Sequence, residues 1–93
     1  MKYDIIINPS AEDDILSAFK WYEKEHKGLG SEYIDALDGV LENISGNPQL
    51  YQVRYREVRM AVVSRFPFVI HYIIDQTRVY VLAVMHTKRK PRS

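Results

Sequence analysis

Apolar positions recur along this chain in two rhythms. Tyr3, Ile5 and Ile7 alternate with their neighbours, which predicts a short strand over residues 2–8, stopped by Pro9. The spacing then widens. Ala11, Ile15, Ala18, Phe19 and Tyr22 fall on one face of a helix, and Tyr33, Leu37, Val40, Leu41 and Ile44 repeat that stripe in a second helix beginning near Ser31. Ser10 with Asp13 three residues later resembles a capping box, and the acids at 12, 13 and 14 suit a helix N-terminus. Glu23 and Lys27 stand one turn apart in the favourable order, and His26 suits a helix end. Gly28 stops the first helix, and Gly46-Asn47-Pro48 ends the second. Joined by Gly28-Leu29-Gly30, the two make a helical hairpin with one apolar side. Ile15, Phe19, Leu37 and Leu41 are expected where that side meets a sheet.

The sheet is predicted in the second half. Val58, Met60 and Val62 alternate with Arg59, Ala61 and Val63. Arg65-Phe66-Pro67-Phe68 opens a hairpin, in which Pro67 cannot donate to a ladder. Phe68 to Ile74 and Val79 to Met85 are apolar on both parities, His71 apart, with Asp75-Gln76-Thr77-Arg78 as the turn between them. Strands with two apolar faces sit inside a sheet with something packed on each side. Two helices cover one face, so the other is expected to accept a partner or to be closed by loops. The fold class is α+β, in the order β-α-α-β-β-β, with a two-helix hairpin on one face of a mainly antiparallel sheet. A single domain spans residues 1–93, ending in a basic tail from about 88 to 93 that is expected to be flexible.

Charge changes the picture more than composition does. Residues 1–50 hold 4 lysines and 10 acids, a net of −6, whereas residues 51–93 hold 9 cations and 2 acids, a net of +7. The formal +1 of the 93-residue chain therefore conceals a dipolar protein, and such a charge distribution steers association. The chain has no cysteine, which excludes a disulfide framework, a thiolate nucleophile and a cysteine zinc site. No apolar run approaches a membrane span, and the short apolar run at 5–7 is too brief for a signal peptide. A cytoplasmic protein is expected.

Candidate chemistry is sparse. His86 ends an apolar strand and is followed by Lys88, Arg89 and Lys90. An imidazole there either moves protons in phosphodiester cleavage, with Arg59, Arg65, Lys88 and Arg89 as cations around the phosphate, or caps the strand by bonding to backbone. His71, inside an apolar strand, reads as a satisfied core histidine. Arg59 and Arg65 share a parity on a regular strand, roughly 20 Å apart, which suits tracking a nucleic-acid backbone or a solvated face. Trp21 beside the first stripe is either a binding aromatic or the edge of the core. Gly28-Leu29-Gly30 lacks the lysine and third glycine of phosphate loops and reads as a turn. Three histidines far apart make a poor ligand set, so neither a metal nor another cofactor is expected.

Together, Ala11…Asp14-Ile15, Trp21-Tyr22-Glu23, Gly28-Leu29-Gly30, Asn47-Pro48-x-Leu50-Tyr51, Val58-Arg59, Arg65-Phe66-Pro67-Phe68, Tyr72 and Val81-Leu82-Ala83-Val84-Met85-His86-x-x-Arg89-x-Pro91 resemble the RelE/ParE superfamily of type II toxin–antitoxin toxins over nearly the whole chain. The resemblance implies the element order above, a cognate antitoxin and a toxic action on translation or on DNA gyrase. Ribosome-dependent mRNA-cleaving members carry an arginine where Val69 stands here, and a late catalytic tyrosine; no tyrosine follows Tyr80. The Ala83-Val84-x-His86-x-x-Arg89 ending is more similar to the ParE branch, which poisons gyrase without known hydrolytic residues. The alternatives are a ribosome-dependent mRNA endoribonuclease, metal-independent and using His86, and a non-toxic binding module of the same fold.

Overall fold

The computed structural model describes residues 2–88. Strand β1 (Asp4–Ile7) leads into helix α1 (Pro9–Glu25), helix α2 (Leu29–Gly46) and a 3₁₀ turn (Pro48–Leu50). Strands β2 (Val53–Tyr55), β3 (Val58–Val62), β4 (Phe68–Asp75) and β5 (Arg78–His86) follow. The five strands form one sheet in the order β1-β5-β4-β3-β2. β1 runs parallel to β5, and the other pairs are antiparallel.

Both apolar stripes meet one face of this sheet. Ala11, Ala18, Tyr22, Tyr33, Leu37, Val40 and Ile44 from the helices pack with Ala61, Phe68, Ile70, Tyr72, Val79, Val81 and Val84. Of the four residues expected at this contact, Leu37 is buried, and Ile15, Phe19 and Leu41 pack against the core partly exposed. Tyr22, Tyr33, Phe66 and Phe68 form an aromatic cluster whose ring centroids lie 5.0–6.2 Å apart. Tyr33 Oη is buried within it and makes no hydrogen bond among the described residues. Burial raises its pKa, and Tyr22 and Asp14 push it the same way, so the phenol stays neutral. Tyr72, equally buried, donates to the Pro48 carbonyl at 2.6 Å. Its pKa is pushed up to about 12, chiefly by burial, with Arg59 opposing.

Local chemistry departs from the expected pattern at several points. α1 begins at Pro9, with Asn8 as N-cap and no side-chain cap bond, so Ser10 and Asp13 make no capping box. Proline at the first helical position has no N–H to orphan. α2 starts at Leu29 rather than near Ser31, because Gly28 takes a φ of 90° and the Glu23 carboxylate receives the N–H groups of Gly28 and Gly30, both at 3.0 Å. Glu23 thus caps the second helix instead of serving a turn-to-turn pair with Lys27. Gly30 is confined as well as capped: a Cβ there would lie 2.8 Å from the Phe19 ring.

The sheet has a strand more than expected. β2 is exposed at all three positions, so no buried alternation announces it. Arg65 is not on β3; it lies in the β3–β4 turn at a φ of 73°, and the shared strand face with Arg59 does not exist. Only Gln76 and Thr77 join β4 to β5, with Gln76 at a φ of 57°. The basic tail from 89 onward lies outside the described residues.

Candidate binding groove

One break in the ladder organises the site. Along β4 and β5, His71 pairs with Ala83 but Tyr72 pairs with Val81, so Leu82 is an extra, bulged residue. A bulge strands backbone groups, and α1 recovers them. Ser10 Oγ donates to the Leu82 carbonyl at 3.1 Å, and Asp14 Oδ2 accepts the Val84 N–H at 3.0 Å. The two side chains are four residues apart on one helix and therefore share a face.

That face continues through Ser17 and Trp21, forming one wall of a groove of about 710 Å³. Asp14, Ser17, Ala18, Trp21 and Tyr22 come from α1, Pro67 and Phe68 from the start of β4, and Val84, Met85 and His86 from the end of β5. Trp21 is half exposed and packs edge-on against Tyr22 at 5.1 Å. The groove is mainly apolar, with the Asp14 carboxylate and the His86 imidazole in its lining. The residues at 10, 14, 17 and 21 follow helical spacing one step round from the core stripe. That spacing is the available signal for the wall, and of the four only Trp21 presents itself in the sequence as a binding aromatic.

The expected site residues are not gathered here. His86 lines the groove. Its ring meets Phe68 edge-on at 5.2 Å, and Nδ1 accepts the Lys88 backbone N–H at 3.1 Å. This is the strand-capping arrangement. Lys88 is exposed beside it. Arg65 pairs with Glu32 at 2.8 Å and lies over the Phe66 ring. Arg59 is turned to structural work, donating to the carbonyls of Tyr51 at 2.6 Å and Gln49 at 3.3 Å. With Tyr72 it ties the 3₁₀ turn to the sheet. Arg89 lies outside the described residues. His71 is half-buried on the face away from the helices, its Nδ1 3.4 Å from Tyr55 Oη, and burial lowers its pKa against the opposing effect of Asp14.

The second sheet face is apolar, as expected. Met60, Val62, Val69, His71, Ile73, Tyr80 and Met85 alternate away from the core residues, and Val62 is 67% exposed. Among the described residues no three histidines or acids converge to hold a metal, and no helix is long and apolar enough to cross a membrane. Fold and groove together define a small α+β domain with an apolar cleft beside a bulged strand.

Comparison with known proteins places it more closely. The model of the ParE toxin family of the type II toxin–antitoxin system parDE matches residues 5–91. The chain belongs to that family. It is also similar in fold to a solved chain from a chromosomal ParDE toxin–antitoxin system of P. aeruginosa, with a TM-score of 0.69 at 13% identity over 94% of this chain and 98% of that one. No curated protein matches it in sequence.

Proposed function

We propose that the chain is the toxin of a two-component module, neutralised by a co-encoded antitoxin, and that it acts by binding DNA gyrase. The observation that carries the binding mode is the state of His86. A general acid or base must reach the proton it transfers within hydrogen-bond distance, directly or through one water. Here one ring nitrogen is taken up by the Lys88 backbone, and the nearest ring is the hydrocarbon Phe68. The groove behind it has what a protein anchor requires: aromatic walls, an exposed tryptophan and few charges. The uncovered apolar sheet face suits an antitoxin segment that shields it until the toxin is released.

The test is a supercoiling assay with purified gyrase, plasmid and this protein. Loss of supercoiling with trapped DNA breaks, reversed by the product of the adjacent gene, is the expected result. Undisturbed supercoiling at micromolar toxin would remove gyrase as the target.

A further inference from the structure

The groove between α1 and the ends of β4 and β5 combines two kinds of chemistry. Most of its lining is apolar or aromatic, yet among the described residues that lining holds one carboxylate, Asp14, and no lysine or arginine. Asp14 is only partly exposed. Its Oδ2 accepts the Val84 N–H, and a neutral donor orients a carboxylate without cancelling its charge. That charge is felt nearby. Burial lowers the His71 pKa and Asp14 opposes the fall; burial and Tyr22 raise that of Tyr33, and Asp14 adds to the rise. Ser17 and Trp21 follow Asp14 about one and two turns further along α1, and both are exposed.

These features decide what fills the groove. A purely apolar side chain would strip water from the Asp14 carboxylate without replacing it, and desolvating a charge is costly. An acidic group would meet like charge. A cation is favoured both by the carboxylate and by the negative face of an indole. Of the two cationic side chains, arginine matches the lining better. Its planar guanidinium stacks on an aromatic ring while its edge donates to a carboxylate, and it is more weakly hydrated than an ammonium. Tryptophan, tyrosine and arginine are also the residues on which protein interfaces concentrate their affinity.

We infer that the groove is a recognition pocket for an arginine side chain of the target protein, stacked on Trp21 with its guanidinium on the Asp14 carboxylate. The inference rests on the reading above that the chain acts by binding its target through this groove.

Trp21 is the single tryptophan of the chain, so its fluorescence reports this groove alone. The experiment titrates the full chain with N-acetyl-arginine amide and, separately, with N-acetyl-norleucine amide, and repeats both on Asp14→Asn and Ser17→Lys. Asp14→Asn keeps an acceptor for the Val84 N–H and removes the charge. Ser17→Lys brings a competing cation to the groove from an exposed position and leaves Asp14 in place. Thermal unfolding shows which variants are folded. The expected result is a saturable change with the arginine derivative in wild type, at least tenfold weaker in both variants and at least tenfold weaker with the norleucine derivative. No saturable change, an equal response to the two derivatives, or an unchanged response in either folded variant overturns the inference. Uptake of the arginine derivative only after residues 89–93 are deleted would give the groove to the chain's own cationic end, and overturns it as well. Supercoiling by gyrase is read separately. Inhibition that both variants retain in full overturns the inference and leaves gyrase as the target. Supercoiling undisturbed by wild type removes gyrase as the target, and the fluorescence titration still decides the pocket.

Discussion

Removing the Asp14 carboxylate tests whether α1 holds the β5 bulge. In Asp14→Ala the Val84 N–H loses its acceptor at 3.0 Å, and Val84 is only 3% exposed, so water replaces it poorly. A hydrogen bond to a charged group contributes roughly 1.5–3 kcal/mol, and a stranded buried donor costs about as much. For a domain of this size each kcal/mol moves the unfolding midpoint by about 4–8 °C, so a fall of roughly 6–24 °C is expected. Asp13→Ala is the control. It deletes the same charge one residue earlier, at an exposed position, and should cost within about 0.5 kcal/mol. Ser10→Ala, at an exposed hydroxyl, should cost about 0.5–1 kcal/mol. Denaturant melts give the energies, and amide exchange at Val84 reports the bulge itself. If Asp14→Ala melts with Asp13→Ala and the Val84 amide exchanges as in wild type, the bulge does not depend on α1. The groove's construction would then need another basis.

Further outcomes follow from the same contacts. Tyr33→Phe removes a buried hydroxyl that has no hydrogen-bond partner among the described residues, so calorimetric unfolding should show no loss, and a gain of up to about 1 kcal/mol; a loss above about 1 kcal/mol would mean that the phenol is hydrogen-bonded in solution. Arg59→Ala should cost about 1.5–3 kcal/mol through the released Tyr51 and Gln49 carbonyls, and Arg59→Lys should recover only part of it, because a single ammonium cannot reproduce the guanidinium fork. Stability equal to wild type in both variants would free Arg59 for target contact. His71 is more easily protonated unfolded than folded, since burial lowers its pKa. Its contribution is therefore full above the ordinary imidazole range near ~6.5 and is lost as pH falls through the lower folded value. Denaturant melts between pH 7.5 and 5 should show this slope in wild type and a flatter one in His71→Gln; identical slopes would contradict it.

The helical hairpin was legible because its two stripes are long and each buries a single face. Leu37 and Val40 sit where the spacing put them. The central strands were visible as apolar runs, but those runs concealed their register. Val79 to Met85 is apolar on both parities, so an inserted residue at Leu82 leaves no trace in the pattern. β2 was missed for the opposite reason: three exposed residues carry no burial signal. Ser10 resembles a cap in the sequence because Ser-x-x-acid does cap helices. Tertiary structure claimed the hydroxyl for Leu82, and proline had already begun the helix. The arginines show the limit most clearly. Position on a strand foretold neither the positive φ that takes Arg65 off β3 nor the 3₁₀ turn that engages Arg59. His86 holds two readings in the sequence, and its Nδ1 accepts the N–H of Lys88 two residues on, a local bond that the pattern of residue types leaves open.

The central claim is that this toxin works by occupying its target and not by cutting RNA. The most direct measurement expresses wild type and His86→Gln side by side and reads growth arrest, mRNA cleavage within ribosome-bound codons, and gyrase-dependent DNA breaks. Proton transfer by a histidine contributes typically 10²–10⁴-fold to a phosphodiester cleavage, so a cleaving enzyme would lose nearly all activity in His86→Gln. A binding protein spreads its affinity over the groove and should keep most of its toxicity. The account predicts growth arrest and DNA breaks in both strains with mRNA intact. Codon-specific cuts in wild type that vanish in His86→Gln, with gyrase unaffected, would contradict it.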